Sequence, residues 1–164
     1  VRKTGFALRF AAEVLKQDKE VVLAAVRHNG ASLQFAADSL KADRDVALAA
    51  LRENWVALQF ATGLQRDKEV VLGIVRTTGF ALELAAASLR DDPDVVMAAI
   101  SCSGLALQYA SEAMKANREI VLAAVGSSGV ALRYAAEELK SDEGVVEVAL
   151  AQCADALKYM GTGL

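Results

Sequence analysis

Histidine and proline each occur once in 164 residues, cysteine occurs twice, and aromatic side chains make up only 5%. Each scarcity excludes something. His28 stands alone, so neither a nucleophile–base pair nor a histidine-rich metal site can be assembled around it. Cys102 and Cys153 sit in no close-spaced pair, which speaks against a zinc ribbon or a disulfide framework and fits a reducing compartment, the cytoplasm or an organelle interior. No apolar run reaches the roughly 20 residues that span a bilayer, and no secretory leader pattern opens the chain. With a sequence pI of 5.2 and few aromatics among the basic residues, nucleic acid is a poor partner.

What is abundant is alanine, within an apolar content of 54%. Small side chains at that density suit helices that approach closely. Near-absence of proline, with many Leu, Glu, Lys and Arg, favours helix throughout.

A repeat governs the rest. Asp18-Lys19-Glu20-Val21-Val22-Leu23-Ala24-Ala25-Val26 returns as Asp43-Arg44-Asp45-Val46-Ala47-Leu48-Ala49-Ala50-Leu51. Further copies begin at Asp67, Asp92, Asn117 and Asp142, a period of 25 with one step of 24. Such a period marks a repeat array in which each unit touches its neighbours. The units start near residues 5, 30, 55, 79, 104 and 129, with a partial unit from 154, over a single array spanning 1–164.

Each unit reads as two halves. The first, as in Gly5-Phe6-Ala7-Leu8-Arg9-Phe10-Ala11-Ala12, carries a leucine that recurs at Leu33, Leu58, Leu82, Leu107, Leu132 and Leu157. Its spacing predicts a helix. An aromatic residue or Leu follows two places on, and the residue between is polar in every copy and should face water. The second half is a six-residue apolar run that a buried strand would also explain, which would give a leucine-rich horseshoe. Helix is preferred for three reasons. Asp or Asn precedes every run, with an acid two places later in five of six copies, as at a helix start. Pro93 stands at a first helical position. The central Ala-Ala pair would pack poorly on a sheet.

Thr4, Asn29, Asn54, Thr78, Ser103 and Ser128 read as N-caps of the first-half helices, and the glycine that follows most of them as a left-handed helix terminator. Short connections imply antiparallel helices. The expected fold is therefore all-α, an α-solenoid of short antiparallel helix pairs in tandem repeats. Ala11, Ala36, Ala61, Ala85, Ala110 and Ala135 should lie at close helix contacts. One residue is missing around Ala61-Thr62-Gly63-Leu64, where a local irregularity is expected. Val1-Arg2-Lys3-Thr4-Gly5 aligns with Val26-Arg27-His28-Asn29-Gly30 and reads as the tail of a helix from a longer or processed protein. Leu8 and Phe10 should then leave apolar surface exposed.

The pattern Asp-x-Glu-Val-Val-x-x-Ala-Val-x-x-x-Gly-x-x-Leu-x-x-Ala-x-x-x-Leu, as Asp18–Leu40 displays it, resembles the domain of unknown function 4116 repeat family. Asp67–Leu89 and Asn117–Leu139 are similar, so the resemblance covers nearly the whole chain. It implies a helical repeat and carries no activity or ligand set. Trp55, Gly144 and Glu147 depart from it. Glu147 takes the place of Leu23, a position read as core-facing, and so suggests a wet outer face on the last unit.

Charge is uneven. Residues 1–82 hold 12 Lys/Arg against 9 Asp/Glu, and residues 83–164 hold 6 against 12. Arg2, Arg27, Arg52 and Arg76 share one helix-end place, which Ser101, Gly126 and Ala151 continue without charge. Cations there favour the helix dipole by roughly 0.3–1 kcal/mol each, which explains every arginine singly but not why the row stops. The alternative is a basic ladder for a carboxylate- or phosphate-bearing partner. No catalytic, cofactor or metal site is expected. The expected function is a non-catalytic scaffold or adaptor binding a protein partner, acidic where it meets the arginines. Alternatives are a structural subunit of a large assembly, organellar or otherwise, with self-association through head-to-tail contacts, and a carrier or enzyme using a groove between units.

Overall fold

The computed structural model describes residues 5–161. Every regular element among them is helical, and the chain divides into two compact units between Val70 and Val71. No strand occurs among the described residues, so the apolar runs are helices and the horseshoe alternative falls away.

In the first unit a complete repeat consists of a six-residue 3-10 segment, Gly30–Phe35, a single α-turn, Asp38–Lys41, and a ten-residue helix, Arg44–Glu53. The preceding repeat follows the same order with Gly5–Phe10, Glu13–Lys16 and Lys19–Val26. The long helices start where the sequence places them. Asp18 accepts from the backbone N–H groups of Glu20 and Val21 at 2.9 and 3.1 Å, and Asp43 does the same for Asp45 and Val46 at 3.0 and 3.2 Å. Their inward stripes, Val22, Ala25 and Val26 on one and Val46, Ala47 and Ala50 on the other, are buried with Leu8, Leu33 and Leu58.

The second unit repeats this plan. Gly79–Leu84, Ala87–Arg90 and Pro93–Cys102 are followed by Gly104–Tyr109, Glu112–Lys115 and Arg118–Ser127. Gly129–Tyr134, Glu137–Lys140, Glu143–Gln152 and a last 3-10 segment, Ala154–Tyr159, complete it. Asp92, Asn117 and Asp142 cap its long helices, and Pro93 takes the first position of its own. Leu82, Val95, Val96, Ile100, Leu107, Val121, Val125, Leu132 and Val145 form the core.

The first half of each repeat differs from the expected single helix. At Ala36 and Ala37 the backbone is extended, with φ/ψ of −70/158° and −62/151°. The break serves a bond to the preceding repeat: the Ala37 N–H donates to the Lys16 carbonyl at 3.0 Å. Ser111 reaches Arg90 in the same way at 2.8 Å, and Ala136 reaches Lys115 at 3.0 Å. In these three repeats the extended backbone carries a hydrogen bond between repeats, against alanine's strong helix propensity, whereas Ala85 and Ala86 are extended without a bond of this kind among the described residues. The alanine row is buried as expected from Ala36 to Ala135, while Ala11 is half-exposed. Its members at 36, 85, 110 and 135 stand in extended backbone rather than within helices. Where one residue is missing, the helix ends differently. Phe60 and Gly63 are right-handed helical, and a 3-10 turn, Leu64–Arg66, replaces the α-turn. The expected irregularity is there.

The junction glycines also have another reason. No described residue has positive φ, so none is a left-handed terminator. A Cβ on Gly30 would lie 2.2 Å from the Ala50 carbonyl oxygen, and one on Gly104 would lie 2.3 Å from that of Ala124. Each glycine lets a 3-10 segment rest on the backbone of the long helix of its own repeat. Among the supposed caps of the first halves, Asn29 and Asn54 accept from the backbone N–H of Ala31 and Val56. Thr78, Ser103 and Ser128 make no side-chain cap bond, and Thr4 lies outside the described residues. Leu8 is fully buried, contrary to expectation, because the Lys19–Val26 helix packs against its segment. Phe10 is 84% exposed.

Candidate functional site

The outward faces of the long helices are less apolar than the sequence suggests. Leu23, Leu48, Leu72, Met97 and Leu122 are half-exposed, so the place that Glu147 occupies is not a core position. Core places in the long helices follow i, i+3, i+4, as at Val22, Ala25 and Val26, and Leu23 lies one step off that stripe.

Four of them, Leu23, Leu48, Leu72 and Met97, line shallow grooves between neighbouring long helices. In the first unit a groove of about 490 Å³ is walled by Lys19, Leu23 and Arg27 from one helix and by Asp45, Leu48, Ala49, Arg52 and Glu53 from the next. Arg27 and Arg52, two members of the arginine row, are thus brought to one groove. Both are exposed, and neither makes an ion pair among the described residues. A comparable groove in the second unit, about 640 Å³, is lined by Leu72, Arg76, Asp94, Met97, Ala98, Ser101 and Cys102. Arg76 is therefore a groove residue too, and Arg2 lies outside the described residues.

A second row of cations is tied up. The residue after each capping Asp is often basic, and it reaches forward to the capping carboxylate of the next long helix. Lys19 Nζ lies 2.8 Å from Asp43 and 3.3 Å from Asp45. Arg44 pairs with Asp67, and Arg118 grips Asp142 with Nε and Nη2 at 3.0 and 3.1 Å. The hydrogen bond from the cation, with the backbone N–H bonds of the cap, holds Asp43, Asp67 and Asp142 below the ordinary carboxylate range. Lys19, Arg44 and Arg118 are raised by the same bonds. Sequence reading missed this row, although its signal is present: a basic residue recurring after the capping position at the repeat period.

On the 3-10 segments, the half-buried Tyr109 and Tyr159 each meet a side chain from the preceding repeat. Phe80 meets Tyr109 edge-on, with centroids 6.2 Å apart. Arg133 stands over Tyr134 at 5.0 Å and over Tyr159 at 5.4 Å. Burial, and then the neighbouring Glu83 carboxylate, raise the Tyr109 phenol. The polar row between leucine and aromatic is exposed at Arg9, Gln59, Glu83, Arg133 and Lys158, while Gln34 and Gln108 are half-buried and donate to backbone carbonyls. His28 and Cys102 are exposed, and both cysteines are free thiols. Among the described residues no cluster of three or more His, Cys, Asp or Glu could hold a metal ion, and no helix is long and apolar enough to cross a membrane.

The architecture defines the class: an all-α protein built of tandem helical repeats. The family model described as Domain of unknown function (DUF4116) matches residues 1–36, 18–63, 67–115 and 117–164, and the chain belongs to that family. No curated protein and no solved structure matches.

Proposed function

We propose that the chain is a non-catalytic scaffold or adaptor whose long helices, stacked as a solenoid, bind an acidic, partly apolar segment of a protein partner in the outer grooves. One observation carries this reading: Arg27 and Arg52 flank the half-exposed Leu23 and Leu48 in a single groove and have no acid of their own. A guanidinium takes a carboxylate in a planar two-point contact, and the leucines offer apolar area beside it. The helix dipole does not require a cation at this place. Helices that end the row at Ser101, Gly126 and Ala151 run ten residues each without a cation there.

The test is selection of peptides from a random displayed library by the parent chain and by the Arg27→Gln/Arg52→Gln variant. The parent should enrich sequences with Asp or Glu beside an apolar residue, with binding that weakens as salt rises. The variant should lose that enrichment while keeping its thermal midpoint. An unchanged peptide set in the variant overturns the proposal.

A second reading, membership of a larger assembly, draws support from apolar side chains open to solvent at Phe10, 84% exposed, Val14, 77%, and Leu157, 64%. Under it the isolated chain should self-associate at micromolar concentration in sedimentation experiments. A monodisperse monomer would count against it.

A further inference from the structure

The α-turns of the repeats end in a cation that bonds the acid three residues earlier. Lys16 meets Glu13 at 2.7 Å, Lys41 meets Asp38 at 3.0 Å, Lys115 meets Glu112 at 2.8 Å and Lys140 meets Glu137 at 2.6 Å. In each pair the cation is the more buried partner, between 17% and 23% exposed, and the acid lies outside it. The repeat that begins at Gly79 breaks the rule. Its cation is Arg90, and the place of the acid is taken by Ala87.

Arg90 is half-buried, and its Nε is shut off from solvent with no hydrogen-bond partner among the described residues. Its guanidinium makes no ion pair among them either. The charges nearby are already engaged. Glu112 is held by Lys115, and the Asp91 carboxylate accepts from the Ser111 hydroxyl. Ala87 and Arg90 open onto a groove of about 300 Å³, whose other walls include Gln108, Tyr109 and Ser111. A guanidinium partly stripped of water and lacking a counter-charge gains more from an anion than a fully solvated cation does.

We infer that this groove is a carboxylate-binding site, in which an acid supplied from outside the chain takes the place on Arg90 that Glu13, Asp38, Glu112 and Glu137 fill on their own cations. The in-chain pairs fix the chemistry, since all of them use a carboxylate. Arginine in place of lysine suits a two-point contact with that group. The source is either an Asp or Glu side chain of a peptide or a small free carboxylate. The site stands independently of the Arg27/Arg52 groove.

The test is a titration of isotopically labelled protein, following the backbone amides of residues 87–91 and 108–115. The probes are N-acetyl-glutamate methylamide, acetate and inorganic phosphate. The parent should saturate with the capped glutamate at a dissociation constant on the order of millimolar, as one charge-assisted contact allows. Tighter binding of the capped glutamate than of acetate would assign a peptide source, and the reverse a small acid. Ala87→Glu restores the in-chain acid while keeping Arg90 in place, and it should weaken binding by roughly tenfold or more. Arg90→Gln should abolish it, and Arg27→Gln/Arg52→Gln should leave it unchanged. No saturation by either carboxylate in the parent, unchanged binding in Ala87→Glu, or phosphate bound as tightly as the carboxylates would each overturn the assignment.

Discussion

In the first unit the outer groove carries two unpaired arginines, Arg27 and Arg52, whereas the groove of the second unit carries Arg76 together with Ser101 and Cys102. The helices behind them are built alike, with an Asp cap, a buried Val-Ala stripe and a glycine-bedded contact to the 3-10 segment of the same repeat. Loss of the cation from the row has not shortened the helices that lack it. What repeats with high fidelity is therefore what packs, and what varies is what faces outward. That separation lets fold and function be perturbed one at a time.

The shared packing can be broken at the glycines. Gly30→Ala in the first unit and Gly104→Ala in the second each drive a methyl group into a backbone carbonyl, at 2.2 and 2.3 Å. Backbone cannot rotate away as a side chain can, so each should cost about 3 kcal/mol in denaturant unfolding, at the upper end of overpacking. Gly73→Ala, at an exposed place in the Lys68–Val75 helix, is the control. Its Cβ would meet nothing within 4 Å, so it should gain roughly 0.5–1 kcal/mol from helix propensity. Equal losses at Gly30 and Gly104 would confirm one packing rule for both units, and a loss at only one would divide them.

A smaller difference, between one repeat and the others, lies inside the core. Ser32 is fully buried, and its hydroxyl has no partner among the described residues, while Ala57, Ala81, Ala106 and Ala131 hold the same place elsewhere. Ser32→Ala should therefore stabilise the protein by about 1–2 kcal/mol, the cost of an unsatisfied buried hydroxyl. A thermal melt that does not move, or falls, would show that the hydroxyl is satisfied.

The smallest effect expected is electrostatic, and it should be common to both units. Asp43, Asp67 and Asp142 have carboxyls lowered by their cations and caps. Lowered folded-state values mean that this stabilisation is complete above the unfolded value, near pH 4, and is lost as pH falls through the folded values. Acid unfolding of Arg44→Gln and Arg118→Gln, compared with the parent, should show a shallower loss of stability below about pH 4. These pairs are exposed, so the change should be modest and should shrink in high salt.

Much of this was legible in the chain. The Asp-x-acid spacing located the starts of the long helices, Pro93 agreed with them, and the missing residue near Thr62 located the irregular repeat. The first-half helix was misread because Ala36-Ala37 looks helical by every local measure. Its extended backbone sets the Ala37 N–H against the Lys16 carbonyl, 21 residues earlier, a contact that no short window contains. The Arg90 groove was missed for a related reason. Ala87 in place of an acid is an absence, and it acquires meaning only once the neighbouring pairs are seen to close.

Sequence by itself determined the period, the all-α class, the caps of the long helices and the buried leucine row from Leu33 to Leu132. These follow from local chemistry: a side chain that accepts from its own helix's free N–H groups, and an apolar stripe recurring at helical spacing. Tertiary structure alone decided where the first half breaks, why glycine stands at the junctions and which cations are left bare. Each of those depends on atoms brought together from separate elements, within a repeat or between repeats, where the close approach of one backbone to another sets the geometry.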